Sequence, residues 1–162
     1  MFEYVNKEYI KNNKFKKTGL EYEKREQEQK SYRLSDDQIK NLGIDITNRK
    51  VELRKNISKI AADKFSLDYS KIDLKCNIGE SAMRKYLKGT RNMSRSALMR
   101  FCSGADITVE EAQELFILFG HALDPKNNLV DAIVIDNIRC KEGIEVLYEE
   151  CEKNGVLRDV FK

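Results

Sequence analysis

A single proline, Pro125, and eight glycines in 162 residues leave this chain few obligatory breaks. No regular two-residue alternation of apolar and polar residues appears between turn signals, so an all-β fold is not expected and helices are. Tryptophan is absent, and the one histidine, His121, stands apart from all four cysteines. Cys76, Cys102, Cys140 and Cys151 form no C-x-x-C pair, which removes the close ligand pairs of a zinc site. In a reducing compartment all four are expected to be small buried apolar residues. No run of about eighteen apolar residues marks a membrane span, and the N-terminus turns polar at Glu3, unlike a secretory signal. A phosphate-cradling glycine loop, a nucleophile motif and a metal-ligand pair are all missing. The expectation is a cytoplasmic, non-enzymatic protein with no membrane partner, metal or cofactor.

What is present is charge, unevenly placed. The chain carries a net +3. Between Gly79 and Ser103 stand six basic residues (Arg84, Lys85, Lys88, Arg91, Arg95, Arg100) and one acid, Glu80. From Gly104 to Lys162 six basic residues face thirteen acidic ones. A short basic helix between two helices with apolar faces is the pattern a phosphate backbone selects.

Periodicity and capping signals place the helices. Residues 1–34 mix aromatic and charged side chains and end in the charged run 21–30, which has helix propensity but almost no apolar face. That segment reads as a solvated helical arm, or as a partner or self-association arm using Phe2, Tyr4, Tyr9, Ile10 and Phe15. Ser35-Asp36-Asp37-Gln38 has capping-box spacing and opens a short helix that Gly43 is expected to end. A longer helix over Ile46–Phe65 carries Val51, Leu53, Ile57, Ile60, Ala61 and Phe65 on one face, with Arg49, Lys50, Arg54, Lys55 and Lys59 elsewhere. Short helices follow over Tyr69–Lys75, with Ile72 and Leu74 apolar, and Glu80–Leu87, joined by a turn at Cys76-Asn77-Ile78. Gly89 suits a C-terminal stop, Ser94 an N-cap, and Thr108-Val109-Glu110-Glu111 another capping box. After the break at Asp124-Pro125, two helices are expected over Leu129–Arg139 and Lys141–Lys153, with acidic outer faces.

The order of these parts over Leu67–Gly89 resembles the helix-turn-helix of the phage-repressor (XRE-type) family. The family's hydrophobic anchor, short helix, turn, recognition helix and closing glycine match Leu67, Ile72, Asn77, Ile78, Met83, Tyr86 and Gly89. The resemblance extends over residues 46–120, and the acidic helices of 121–156 are similar to an extension in some bacterial members. Departures are Tyr69 in place of a phosphate-touching glutamine, Asp73 in place of a small residue, Asn77 in place of glycine and Met93 in place of proline.

The resemblance implies an all-α fold: a lambda-repressor-like five-helix core with two extra C-terminal helices and an N-terminal arm. The corresponding division is 1–45 (arm and short helix), 46–120 (DNA-binding domain) and 121–162 (acidic extension). It implies a sequence-specific transcriptional regulator whose helix Glu80–Leu87 enters the major groove of double-stranded DNA. Arg84 suits a bidentate contact to guanine, and Ser81 suits base or phosphate. Lys85, Lys88 and Arg91 suit phosphates, with Arg95 and Arg100 as further candidates and Tyr69 at the start of the preceding helix. Glu80 either accepts from a cytosine amino group or repels the backbone. A homodimer through residues 121–156 or the arm would match two half-sites. The alternative is a protein-interaction module, adaptor or antitoxin-like, that keeps the fold without DNA; Glu80, Asp73, Tyr69 and the acidic helices favour it.

Overall fold

The computed structural model of the chain describes residues 33–161; the arm residues Phe2, Tyr4, Tyr9, Ile10 and Phe15 and the run 21–30 lie outside them. Among the described residues every regular element is helical: α1 (Asp36–Phe65), α2 (Tyr69–Cys76), α3 (Glu80–Lys88), α4 (Arg95–Gly104), α5 (Val109–Phe119), α6 (Leu129–Cys140), α7 (Ile144–Lys153) and a closing 3₁₀ turn, Arg158–Phe161. The chain divides into two compact units, Met1–Ile44 and Asp45–Lys162.

The described part of the first unit is the start of α1. Its capping box is complete: the Gln38 backbone N–H donates to Ser35 Oγ at 3.1 Å, and the Ser35 N–H donates back to Gln38 Oε1 at 2.8 Å. Gly43 does not end the helix, which runs through it for 30 residues. A lone glycine costs a helix about 1 kcal/mol relative to alanine. With Gln38, Lys40 and Leu42 before it and no proline nearby, that penalty does not stop propagation.

In the second unit the core is assembled around α4. Ser94 caps it by accepting from the Ala97 N–H at 3.1 Å, and Ala97, Leu98, Met99, Phe101, Cys102 and Ser103 are all buried. Phe101 meets Phe65 from the end of α1, ring centroids 6.3 Å apart. Ile72 and Cys76 of α2, Met83 of α3, Phe116 of α5, Val134 of α6 and Leu147 of α7 are buried in the same core. Leu67 and Leu74 are not. Leu67 is exposed and, with Ser66, takes a left-handed conformation (φ 55° and 52°) that turns the chain out of α1, and Phe65 is the buried residue at that end. Leu74 is 77% exposed because Ile72 and Cys76 take the inward face of α2.

At its C-terminal end α4 comes very close to α2. A Cβ on Gly104 would lie 2.3 Å from the Lys75 carbonyl oxygen and 2.6 Å from Cys76 Sγ. Beyond α5 the segment 121–128 is held by side chains rather than by regular structure. Gln113 makes two bonds to the Leu123 backbone, at 2.8 and 3.0 Å. Asn128 caps α6 through the Asp131 N–H at 3.1 Å. Helix α7 starts at Ile144, not Lys141: Lys141 adopts a left-handed conformation (φ 53°) that closes α6, and Gly143 (φ 86°) leads into α7. Buried Asn137 fastens that turn by donating to the Gly143 carbonyl at 2.8 Å.

Three of the four cysteines are buried as expected; Cys140, at the end of α6, is exposed. Burial pushes the Cys76 thiol up to about 12, with Arg100 partly offsetting it, and it raises Cys102 and Cys151 as well. A protonated, enclosed thiol is a poor nucleophile. Alkylation of the native protein at neutral pH should therefore stop at one thiol, Cys140, with the others reacting only in denaturant; mass spectrometry of labelled peptides checks this. A second expectation concerns the glycines. Gly104→Ala should lower stability by about 1–3 kcal/mol in urea unfolding, because the methyl meets backbone. Gly43→Ala, where an added Cβ meets nothing within 4 Å, should not.

Candidate functional site

Helices α2 and α3 are joined by a three-residue turn, Asn77–Gly79. Asp68 caps α2 by accepting from the Ser70 and Lys71 N–H groups at 3.0 and 3.3 Å. Asn77 ends it in the left-handed conformation (φ 54°, ψ 43°), a role that asparagine fills with less strain than most residues. Ile78 is buried and draws the turn onto the core. At 3.6 residues per turn, α3 then separates into two sides. Met83 is fully buried with Tyr86 and Leu87 partly buried beside it, while Ser81, Arg84, Lys85 and Lys88 share the opposite, exposed side.

The first turns of the two helices meet. The Arg84 guanidinium lies over the Tyr69 ring, 4.4 Å from its centroid, an arrangement that orients the cation while leaving its N–H groups for a ligand. Ser70 Oγ donates to Glu80 Oε1 at 2.8 Å. Glu80 therefore has a partner inside the molecule, and its place in the first turn of α3 suits the positive end of the helix dipole. Gly79 offers no side chain to cap α3, so the first N–H groups of that helix have no oxygen from their cap residue's side chain. At the other end, Gly89 takes φ 78° and Thr90 Oγ1 donates to the Lys85 carbonyl at 3.3 Å. Arg91 lies over Tyr86 at 5.7 Å.

The structure thus brings Tyr69, Glu80, Ser81, Arg84, Lys85 and Lys88 together, with Arg91 close behind through Tyr86. It does not bring Arg95 or Arg100 to them. Arg95 Nη2 pairs with Asp131 Oδ2 at 3.0 Å, Nη1 donates to the His121 carbonyl at 2.8 Å, and the guanidinium lies 5.1 Å from the Phe116 centroid. Arg100 Nη1 donates to the Asn77 carbonyl. Both are tied to the protein's own framework. Sequence reasoning did not find the Ser70–Glu80 bond, because no periodicity links a residue in one helix with the start of the next.

The turn is also fastened from the far end of the chain. Asn77 Nδ2 donates to the Tyr148 hydroxyl at 2.7 Å. Tyr148 packs against Phe161 with centroids 5.6 Å apart and has the Arg158 guanidinium over it at 5.2 Å. Among the described residues no cluster of three or more His, Cys, Asp or Glu side chains is arranged to hold a metal, and no helix is long and apolar enough to cross a membrane. No family model, curated protein or solved structure matches the chain.

Asp131 is the most enclosed charge of this region, its side chain 3% exposed, and it accepts both Arg95 and the Asp124 N–H. Arg95→Met should cost about 2–3 kcal/mol in urea unfolding, because the carboxylate keeps its burial and loses its cation. Adding Asp131→Asn should cost less than the two single changes summed, since both remove one interaction.

Proposed function

We propose that α2 and α3 form a helix-turn-helix of the phage-repressor type within a five-helix core, α1 to α5, and that the protein is a sequence-specific DNA-binding transcriptional regulator. The observation that carries this reading is the division of α3: Met83 anchors one side in the core, and Ser81, Arg84, Lys85 and Lys88 stand together on the other. A helix presented this way fits the major groove of B-DNA. The start of the helix, with no side-chain cap, and the dipole behind it favour a phosphate.

In this arrangement Arg84, steadied by Tyr69, reads guanine, and Ser81 contacts base or phosphate. Lys85, Lys88 and Arg91 hold phosphates and so set position without reading sequence. The Ser70 bond gives Glu80 an internal role, which supports the DNA reading over the interaction-module alternative. Exposed Lys55 and Lys59 on α1 add positive charge to the same unit. A dimer formed through residues 121–156 or the N-terminal arm would place two recognition helices on half-sites about one DNA turn apart.

The test is a pull-down of genomic DNA fragments followed by titration of an enriched fragment across a salt series. Discrete fragments should be enriched, and affinity should fall as salt rises. The double variant Arg84→Ala/Lys85→Ala should bind at least about tenfold more weakly, with a log–log salt slope reduced by about one to two. A double variant indistinguishable from the parent at every salt concentration sinks the assignment of α3. A co-purified protein with no DNA retained at moderate salt supports the interaction-module reading instead.

A further inference from the structure

A groove of about 450 Å³ opens within the unit Asp45–Lys162, beside the exit from α3. Its apolar wall is built from three separate parts of the chain: Val51 and Ile57 of α1, Met93 of the turn after α3, and Leu118 and Phe119 at the end of α5. Lys50, Arg54 and Arg91 line the same groove. None of the three is paired with a carboxylate among the described residues. Arg54 is also drawn in towards the backbone: an added Cβ on Gly89 would fall 1.8 Å from its Nη1. That placement sets the guanidinium beside the C-terminal end of α3, where the helix dipole favours a cation but supplies no full counter-charge.

We propose that this groove is a binding site for a free amphiphilic carboxylate, a medium-chain acyl anion whose chain lies on the apolar wall and whose head group meets Arg54, Lys50 and Arg91. The volume lies in the range of about 300–1,000 Å³ that holds small-molecule ligands. An apolar wall with three cations and, among the described residues, no acid selects against a neutral or cationic amphiphile of the same length, and that charge complementarity fixes the occupant. Arg91 also stands among the proposed phosphate contacts, so the bound carboxylate draws on a cation that DNA would use. This coupling, unlike the site itself, rests on the DNA-binding reading, and it makes the ligand a negative effector of DNA binding.

The experiment is isothermal titration of the full chain with octanoate and decanoate below their micellar concentrations, with octanol and decyltrimethylammonium as neutral and cationic probes. Decanoate should bind with a dissociation constant on the order of 10–100 μM and tighter than octanoate, by up to about fourfold for each added CH₂. Octanol should bind at least about tenfold more weakly than octanoate, and the cation not measurably. The variant Lys50→Gln/Arg54→Gln, folded by circular dichroism, should lose at least about tenfold in decanoate affinity. Absence of decanoate binding, as when another segment of the chain fills the groove, overturns the proposal; so does octanol binding as tightly as octanoate, or a double variant that binds like the parent. Decanoate at saturation should also weaken binding to an enriched DNA fragment by at least about fivefold. Unchanged DNA affinity with decanoate bound overturns the effector role, whereas decanoate binding by a protein that retains no DNA upholds the groove and removes the DNA reading.

Discussion

The approach of α4 to α2 at Gly104 is the constraint on which the position of α3 depends. With only a hydrogen at Gly104, α4 reaches the Lys75 carbonyl and the Cys76 sulfur, and Cys76 in turn bonds the Phe101 carbonyl at 3.7 Å. Dense packing of this kind leaves little room for small adjustments. Helix α2 is therefore fixed against α4, and the short turn Asn77–Gly79 leaves α3 little freedom of its own. Met83 then completes the arrangement by turning the cationic side of α3 to solvent. A position in the interior thus sets the direction of charges on the surface.

Polar side chains extend that control to parts of the unit that have no regular structure. Arg95 and Asp131 join the start of α4 to the start of α6 while also gripping the His121 and Asp124 backbone. Tyr148, from α7, reaches the Asn77 side chain, and Arg100 reaches the Asn77 carbonyl. The turn ahead of α3 is therefore held by α4 and α7 together. Coupling through such a network is physical only where an element has two arrangements, and here the bonds serve to keep one. The acidic C-terminal segment is accordingly part of the framework that holds the turn, and its apolar residues Val134, Leu147 and Cys151 belong to the common core.

Much of this was legible beforehand because helices carry local signals. Ser35, Ser94 and Thr108 announced their caps, and Asn77 and Gly89 their left-handed stops. The spacing placed Ala82 or Met83 with Tyr86 and Leu87 on the inward side of α3, and Met83 is the one fully buried. The misreadings share a cause: they concern residues whose place is set by something distant. Gly43 has the chemistry of a stop but lies within a helix that its neighbours continue. Leu67, Leu74 and Cys140 are apolar or nearly so, yet Phe65, Ile72 and Cys76, and Ile138 occupy the inward positions beside them. Arg95 and Arg100 look like their basic neighbours in sequence, and only the carboxylate and carbonyls facing them show that they bond the protein's own framework.

By itself the sequence determined that the described chain is helical, roughly where most of its helices start and stop, and that positive charge gathers around one short helix. Those properties depend on residues within a turn or two of each other, through capping, periodicity and backbone preference. Tertiary structure alone decided which cations remain available, that Glu80 is satisfied by Ser70, and that Lys50, Arg54 and Arg91 line one groove with residues from α1 and α5. These outcomes depend on distances between side chains far apart along the chain, and electrostatic pairing and burial act through space. The six basic residues between Gly79 and Ser103 are alike in composition. The fold divides them into four that face outward and two that hold the protein together.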